Sequence, residues 1–246
     1  MPYGKVYLIG AGPGAQDLIT MRGARLLAQA DVVLYDALVT EEMLELCPQA
    51  EKISVGKRAG QRSTAQGFIN QQLVDCAARY RTVVRLKGGD PMLFGRADEE
   101  LTALEQHGIA VEVVPGITTA VAAAAASLQP LTKRGVARSV AFFTSSTAPG
   151  HPEELTIPST DTLVQYMGGR EAIATANNLL SQGRAPETPV VVIENVSRAD
   201  QRIERITLAD LAHGLPAAHG PVLVMLGKAM ALRAHQPGQP GSDPRV

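Results

Sequence analysis

Short apolar runs alternate with stretches of helical period through the first half of the chain. Lys5 to Ile9, Val32 to Tyr35, Lys52 to Val55, Val83 to Leu86 and Val111 to Val114 read as five strands. Between them, helical patterns lie near Met21 to Gln29, Glu41 to Leu46, Ala65 to Ala78 and Arg96 to Gln106. This alternation predicts an α/β fold with a parallel sheet and right-handed crossovers.

The second half is less regular. After Pro115-Gly116 comes a helix rich in small residues, Thr118 to Ser127, whose alanines permit close packing. Apolar runs follow at Val140 to Phe143, Leu163 to Tyr166, Val190 to Ile193, Ile203 to Ile206 and Val222 to Leu226. Helices fit Glu171 to Ser181 and Leu208 to His213, the latter opened by a capping-box pair, Thr207 and Asp210. The uneven spacing predicts a mixed sheet. The expected domains are 1–116 and 117–233, followed by a Pro/Gly-rich polar tail, 234–246, that reads as disordered. No internal repeat is visible.

Composition narrows the function. A chain that is 45% hydrophobic and 19% charged is ordinary globular material. The net charge of -1, the absence of Trp and only 4% aromatics argue against a nucleic-acid partner. Cys47 and Cys76 form neither a metal pattern nor a redox pair, and read as small buried hydrophobes in helical stretches. The five histidines are scattered without metal spacing, so no metal is expected. Val6 to Ile9 is too short for a signal peptide, and Ala120 to Ala126 too short for a membrane span. A cytoplasmic protein is the expectation.

The chemistry gathers at the predicted strand ends. Lys87-Gly88-Gly89-Asp90-Pro91 follows the fourth strand, where an open α/β sheet binds its ligands. Its glycines let a ligand approach the backbone, and Asp90 is an acceptor. Gly10-Ala11-Gly12-Pro13-Gly14 follows the first strand and only weakly matches a dinucleotide turn. Pro13 lacks the N–H that would face a pyrophosphate, and the acid at Asp31 or Asp36 is misplaced. Asp36 closes the second strand, with Thr40 the better candidate to cap the next helix. Gly56-Lys57-Arg58-Ala59-Gly60-Gln61-Arg62 places three cations after the third strand, as an anion would require. Arg96 sits at a helix start, where a cation is electrostatically unfavoured, whereas Asp98, Glu99 and Glu100 suit it. Lys133, Arg134 and Arg138 add cations beyond the domain junction.

Taken in order, these motifs resemble the uroporphyrinogen-III C-methyltransferases, members of the S-adenosylmethionine-dependent tetrapyrrole methylases. The similarity runs from Gly4 to about Leu232. It includes Tyr35-Asp36-Ala37-Leu38-Val39, the Gly56 to Gly60 loop, Arg85 to Pro91, Phe94-Gly95-Arg96, Val114-Pro115-Gly116-Ile117-Thr118, Tyr166-Met167-Gly168 and Glu194-Asn195-Val196-Ser197. The resemblance implies a two-domain tetrapyrrole methylase fold, a homodimer, and cofactor held between the domains. It implies cofactor positions at Pro13, Gly88, Gly89, Asp90, Leu93, Thr118, Thr119, Met167, Val196 and near Pro221. Acid/base and substrate positions fall on Asp36, Lys57, Arg96, Glu99 and Arg134. Two departures from the family pattern are Ala97-Asp98, where two glycines are usual, and Lys133-Arg134-Gly135, where His-Arg-Asp is common.

The implied reaction is methyl transfer to C2 and C7 of uroporphyrinogen III, giving precorrin-2. An electron-rich pyrrole is its own nucleophile, so the protein supplies alignment and a base, Glu99 or Asp36. A polycarboxylate substrate explains the cations at Lys57, Arg58, Arg62, Arg96 and Arg134. No dehydrogenase or chelatase extension is visible, so the later chemistry towards sirohaem, cobalamin or haem d1 is expected of another protein. The alternatives are another precorrin methylase, an NAD-dependent oxidoreductase and a non-catalytic ligand sensor. An RNA methylase of the same fold is disfavoured by the charge balance.

Overall fold

The structure, a computed structural model, describes residues 3–56, 66–145, 156–215 and 217–232. Its contacts divide the chain into two compact units, Met1–Ala122 with Val196–Asp200, and Ala123–Asn195 with Gln201–Val246. Lys57, Arg58 and Arg62 of the basic loop, and the expected tail, lie outside the described residues.

In the first unit, strands β1 (Lys5–Gly10), β2 (Val32–Tyr35), β3 (Glu51–Ser54), β4 (Thr82–Lys87) and β5 (Val111–Val114) form one sheet in the order β3-β2-β4-β1-β5. Every pairing is parallel, as the strand–helix alternation predicts. Helices α1 (Met21–Leu27), α2 (Glu41–Leu44), α3 (Gln66–Arg79) and α4 (Ala97–Gln106) cover it. Because side chains alternate across a strand, the sheet has two buried faces. Val6, Leu8, Val32, Leu34 and Val83 pack with Ile69 and Leu73 of α3 and Leu104 of α4. Ile9, Val33, Val84 and Leu86 pack on the other side with Leu27 of α1 and Met43 of α2.

Two local expectations change. Thr40 occupies the N-cap of α2 but makes no capping bond. Its hydroxyl instead donates to the Gly14 carbonyl at 3.3 Å, tying the β2 exit to the β1 exit. Cys47 is buried but lies beyond α2, whose helical run stops at Leu44.

The helix α5 (Thr119–Ser127) contains the division between the units. The second unit holds β6 (Val140–Thr144), β7 (Thr162–Tyr166), β8 (Pro189–Glu194), β9 (Arg202–Thr207) and β10 (Val222–Leu226), in the order β6-β7-β10-β8-β9. Only β6 and β7 pair in parallel, so the sheet is mixed, as expected. Its core joins Leu163, Val190, Val224 and Leu226 to Ala172, Ala176 and Leu179 of α6 (Gly168–Ser181) and to Leu208 and Leu211 of α7 (Leu208–His213). The Thr207–Asp210 capping box is present at α7. Helix α6 begins at Gly168 rather than Glu171, because Met167, at φ 56°, turns the chain before the two glycines.

Candidate active site

The carboxyl ends of β1, β4 and β5 meet through their backbones. A Cβ on Gly10 would lie 2.6 Å from the Gly116 Cα and 2.7 Å from the Gly89 carbonyl oxygen. Gly12 and Gly89 exchange backbone bonds, Gly89 N–H to the Gly12 carbonyl at 2.7 Å and Gly12 N–H to the Gly89 carbonyl at 3.2 Å. Asp90 locks the third turn to the other two. Its Oδ2 accepts the Gly116 N–H at 2.9 Å, and its Oδ1 accepts the Met92 N–H at 2.8 Å. The sequence marked Asp90 as an acceptor for a ligand; in the structure both its oxygens accept backbone N–H groups. Gly89, at φ +70°, faces open space: apart from its chain neighbours, no atom lies within 4 Å of where its Cβ would stand.

Other expected cofactor positions of this unit lie on the same turns. Pro13 is half-buried after Gly12. Leu93 donates its N–H to the Asp90 carbonyl at 3.4 Å, and the Thr118 carbonyl accepts the first N–H groups of α5. Thr118 and Thr119 are half-buried. Val196 is buried, and the residues after it anchor on these loops. Ser197 Oγ accepts the Ala15 N–H at 3.0 Å, and Arg198 Nη2 donates to the Leu38 carbonyl at 2.8 Å.

Asp36, at the β2 exit, accepts the Leu38 N–H on Oδ1 at 2.9 Å and the Gly88 N–H on Oδ2 at 3.3 Å. It therefore borders the glycine turn directly. Behind it lies an ionic group that sequence reasoning missed. Arg85 and Lys87 share the face of β4 that carries Val83, which turns both cations under α4. Glu100 of α4 is fully buried there, its Oε1 accepting Arg85 Nε at 3.0 Å and its Oε2 accepting Lys87 Nζ at 2.8 Å. Arg85 Nη1 lies 3.9 Å from Asp36 Oδ2. Burial, and then the neighbouring Arg85, pull the Lys87 ammonium below the usual lysine value, against the opposing pull of Glu100 and Asp36. The sequence did carry a signal. A charge inside a buried strand needs a partner, and Glu100 lies on the buried stripe of α4 with Ala97 and Leu104.

Arg96 is the N-cap of α4, in a left-handed conformation at φ 55°. Its guanidinium forks onto Glu99, with Nε to Oε1 at 2.7 Å and Nη2 to Oε2 at 2.8 Å. The unfavoured cation at the helix start is thus offset within one turn, and both side chains remain exposed. The acidic run after Arg96 is accordingly divided. Glu99 is clasped by Arg96, and Glu100 is buried with Arg85 and Lys87.

The second unit carries three expected positions. Arg134 is exposed on a tight turn between Lys133 and Ala137, whose backbones exchange bonds at 2.9 and 2.8 Å. Gly135 follows at φ +76°, so this departure from the family pattern sits where glycine is at ease. Met167 caps α6 and is exposed. Pro221 lies beside Asn195, accepting its N–H at 3.1 Å. Glu194 orders this region: its Oε1 accepts the N–H groups of His219 and Gly220, both at 2.7 Å, and its Oε2 accepts Arg202. Burial works to raise the Glu194 carboxyl, but these donors outweigh it and hold the group below its usual value. Among the described residues there is no His/Cys/Asp/Glu cluster suited to a metal ion, and no helix long and apolar enough to cross a membrane. Lys57 lies outside the described residues.

A unit built on a parallel sheet whose exit loops carry closely packed glycines, and a second unit built on a mixed sheet, define a class. The model of the tetrapyrrole (corrin/porphyrin) methylases matches residues 5–212. The chain belongs to that family and is a methyltransferase. The siroheme synthase of Pseudomonas fluorescens (strain SBW25) is 47% identical over 94% of this chain and 52% of its own length. The chain thus spans about half the length of the curated relatives it matches. The uroporphyrin-III C-methyl transferase of Thermus thermophilus is 40% identical, over 92% of this chain and 93% of that one. Its native form superposes with a TM-score of 0.81, and its complex with S-adenyl homocysteine with 0.80. A cobalt precorrin-4 methyltransferase is 29% identical, with a TM-score of 0.77 over 93% of this chain and 96% of its own.

Proposed function

We propose that the chain transfers methyl groups from S-adenosylmethionine to C2 and C7 of uroporphyrinogen III, giving precorrin-2. The observation that carries this reading is the open space in front of Gly89, next to Gly10 and Gly116, which pack backbone to backbone with no room for side chains, and Asp90, which accepts the Gly116 N–H. A cofactor can meet bare backbone there. Pro13, Gly88, Gly89, Asp90, Leu93, Thr118, Thr119 and Val196 of the first unit, with Met167 and Pro221 of the second, are the positions assigned to hold it. The similarity to a transferase crystallised with S-adenyl homocysteine supports the cofactor.

Bound S-adenosylmethionine supplies an electrophilic sulfonium methyl group. The chain's own residues bind, align and remove a proton. The pyrrole carbon is the nucleophile, so no side chain has to form a covalent bond. Arg134 is assigned to bind a substrate carboxylate with its guanidinium, and so is Arg96, whose fork would exchange Glu99 for the substrate. Lys57 is assigned to the same task or to proton donation. After methylation a proton must leave. Both Glu99 oxygens are held directly by the cationic fork of Arg96, at 2.7 and 2.8 Å, whereas Asp36 is bonded directly only by neutral backbone N–H groups, with Arg85 standing off at 3.9 Å. Asp36 is therefore the base in this reading. The active species is proposed to be a homodimer in the cytoplasm.

Incubation with S-adenosylmethionine and uroporphyrinogen III, followed by mass analysis, tests this directly. A product carrying two added methyl groups supports it. No methylation, or methylation only of a precorrin, overturns it. S-adenosylhomocysteine, and not NAD, should raise the melting temperature by mass action.

A further inference from the structure

The buried ionic group beneath the β4 exit is more elaborate than a fold requires. Two cations, Arg85 and Lys87, are about 5% and 4% exposed, and one carboxylate, Glu100, is fully enclosed between them. Burying charge is costly unless it is balanced, and this trio carries one positive charge too many. The nearest carboxylate that restores balance is Asp36, 3.9 Å from Arg85 and about a quarter exposed. The other polar groups facing this region are few among the described residues. Gln66 of α3 donates to Glu100 Oε1 at 3.4 Å, and Arg198 donates to the Leu38 carbonyl.

We propose that Lys87 and Glu100 are positioning residues for Asp36: with Arg85 they form a buried charge set that is neutral only while Asp36 is ionised. The set therefore holds Arg85 in place against the Asp36 carboxylate. This rests on the reading of Asp36 as the base. Glu100 contributes direction as well as charge. By engaging Arg85 at Nε, it leaves the Nη1 edge turned to Asp36 and to the Leu86 carbonyl, 3.0 Å away.

The test is the pH dependence of single-turnover methyl transfer in four variants. Lys87→Gln keeps an N–H donor for Glu100 but leaves the set one charge negative. The loss of rate on the acid side should then begin about one pH unit higher. Glu100→Gln leaves a surplus cation, and the loss should begin at lower pH than in the parent. The double variant Lys87→Gln/Glu100→Gln is balanced again, and its profile should return to that of the parent. Asp36→Asn should lose turnover at every pH. A pair that merely supports the fold would lower the rate evenly across pH in both single variants, with no return in the double. That result, or an unmoved acid limb in Lys87→Gln while Asp36→Asn is inactive, overturns the charge set and leaves Asp36 as the base. Turnover retained in Asp36→Asn overturns the base itself. Should Lys87→Gln not fold, the direction of the Glu100→Gln shift decides by the same measure.

Discussion

Gly10 and Gly116 stand backbone to backbone, with a Cβ on either falling 2.6 or 2.7 Å from the other's Cα. Neither partner is a flexible side-chain end that can yield. Gly89, between the same turns, is constrained by its φ of +70° alone, because the space before it is open. The two kinds of glycine should separate experimentally. Gly116→Ala should cost more than about 3 kcal/mol of stability or prevent folding. Gly89→Ala should cost only about 1–2 kcal/mol, the strain of a left-handed alanine. It should nonetheless weaken S-adenosylhomocysteine at least roughly tenfold, about 1.4 kcal/mol. Urea denaturation and calorimetry check the pair. Equal binding by parent and Gly89→Ala would remove Gly89 from the cofactor site.

Asp90 acts through the backbone it holds. Asp90→Ala leaves the exposed N–H of Met92 and the part-buried N–H of Gly116 without their carboxylate acceptor, at a cost of about 0.5–1.5 kcal/mol, the net worth of such a bond where water can replace part of it. Affinity for S-adenosylhomocysteine should fall with stability, and Asp90→Asn, which keeps an acceptor oxygen, should recover part of both. Thermal melts with and without ligand follow the two effects together. A ligand-induced shift of parent size in Asp90→Ala would place the cofactor elsewhere.

Arg96 and Arg134 are both exposed, and exposure is the ordinary state of an arginine without a function. Substrate recognition separates the cases. Arg96→Met and Arg134→Met should each reduce methyl transfer by at least roughly tenfold, about 1.4 kcal/mol of transition-state stabilisation. S-adenosylhomocysteine binding should hardly change. Steady-state kinetics with uroporphyrinogen III decides, and parent-like kcat and KM in both variants would refute the anion-binding role.

Glu194 gives the second unit an acid dependence of known sign. Its carboxyl is held below the usual value in the folded protein. The resulting stabilisation is present above the unfolded-state value, about 4.3, and is lost as pH falls through the folded value. Glu194→Gln should therefore be less stable than the parent at neutral pH, and the gap should narrow below about pH 4. Urea midpoints across that range check it. A gap independent of pH would mean that geometry rather than charge is at stake.

The fold was legible because its strands are continuous apolar runs and its turns carry glycine and proline. The five parallel strands β1 to β5 follow from that pattern, and the capping box at Thr207 follows from two side chains three residues apart. Long-range partnerships were not legible. Nothing local in Asp90 says that its oxygens serve Gly116, 26 positions away. Nor does the acidic run Asp98-Glu99-Glu100 say which member turns inward. Helix phase decides that, and the run was read by its charge instead. Thr40 misled in the same manner, since its hydroxyl had a better acceptor in a neighbouring loop than in its own helix.

Phe94, Arg96 and Ser197 in the first unit, and Met167 and Asn195 in the second, hold left-handed backbone at φ of 53–62°, and Leu128 does so at 57° in an exposed helix exit. Each would be easier as glycine, by up to about 1 kcal/mol. A programme to make the enzyme more heat-resistant would meet these positions early. Leu128→Gly offers its gain without touching the chemistry. If Arg96 and Met167 hold the roles proposed for them, the same change there would exchange turnover for melting temperature, and durability and speed would be set against each other at the strand exits.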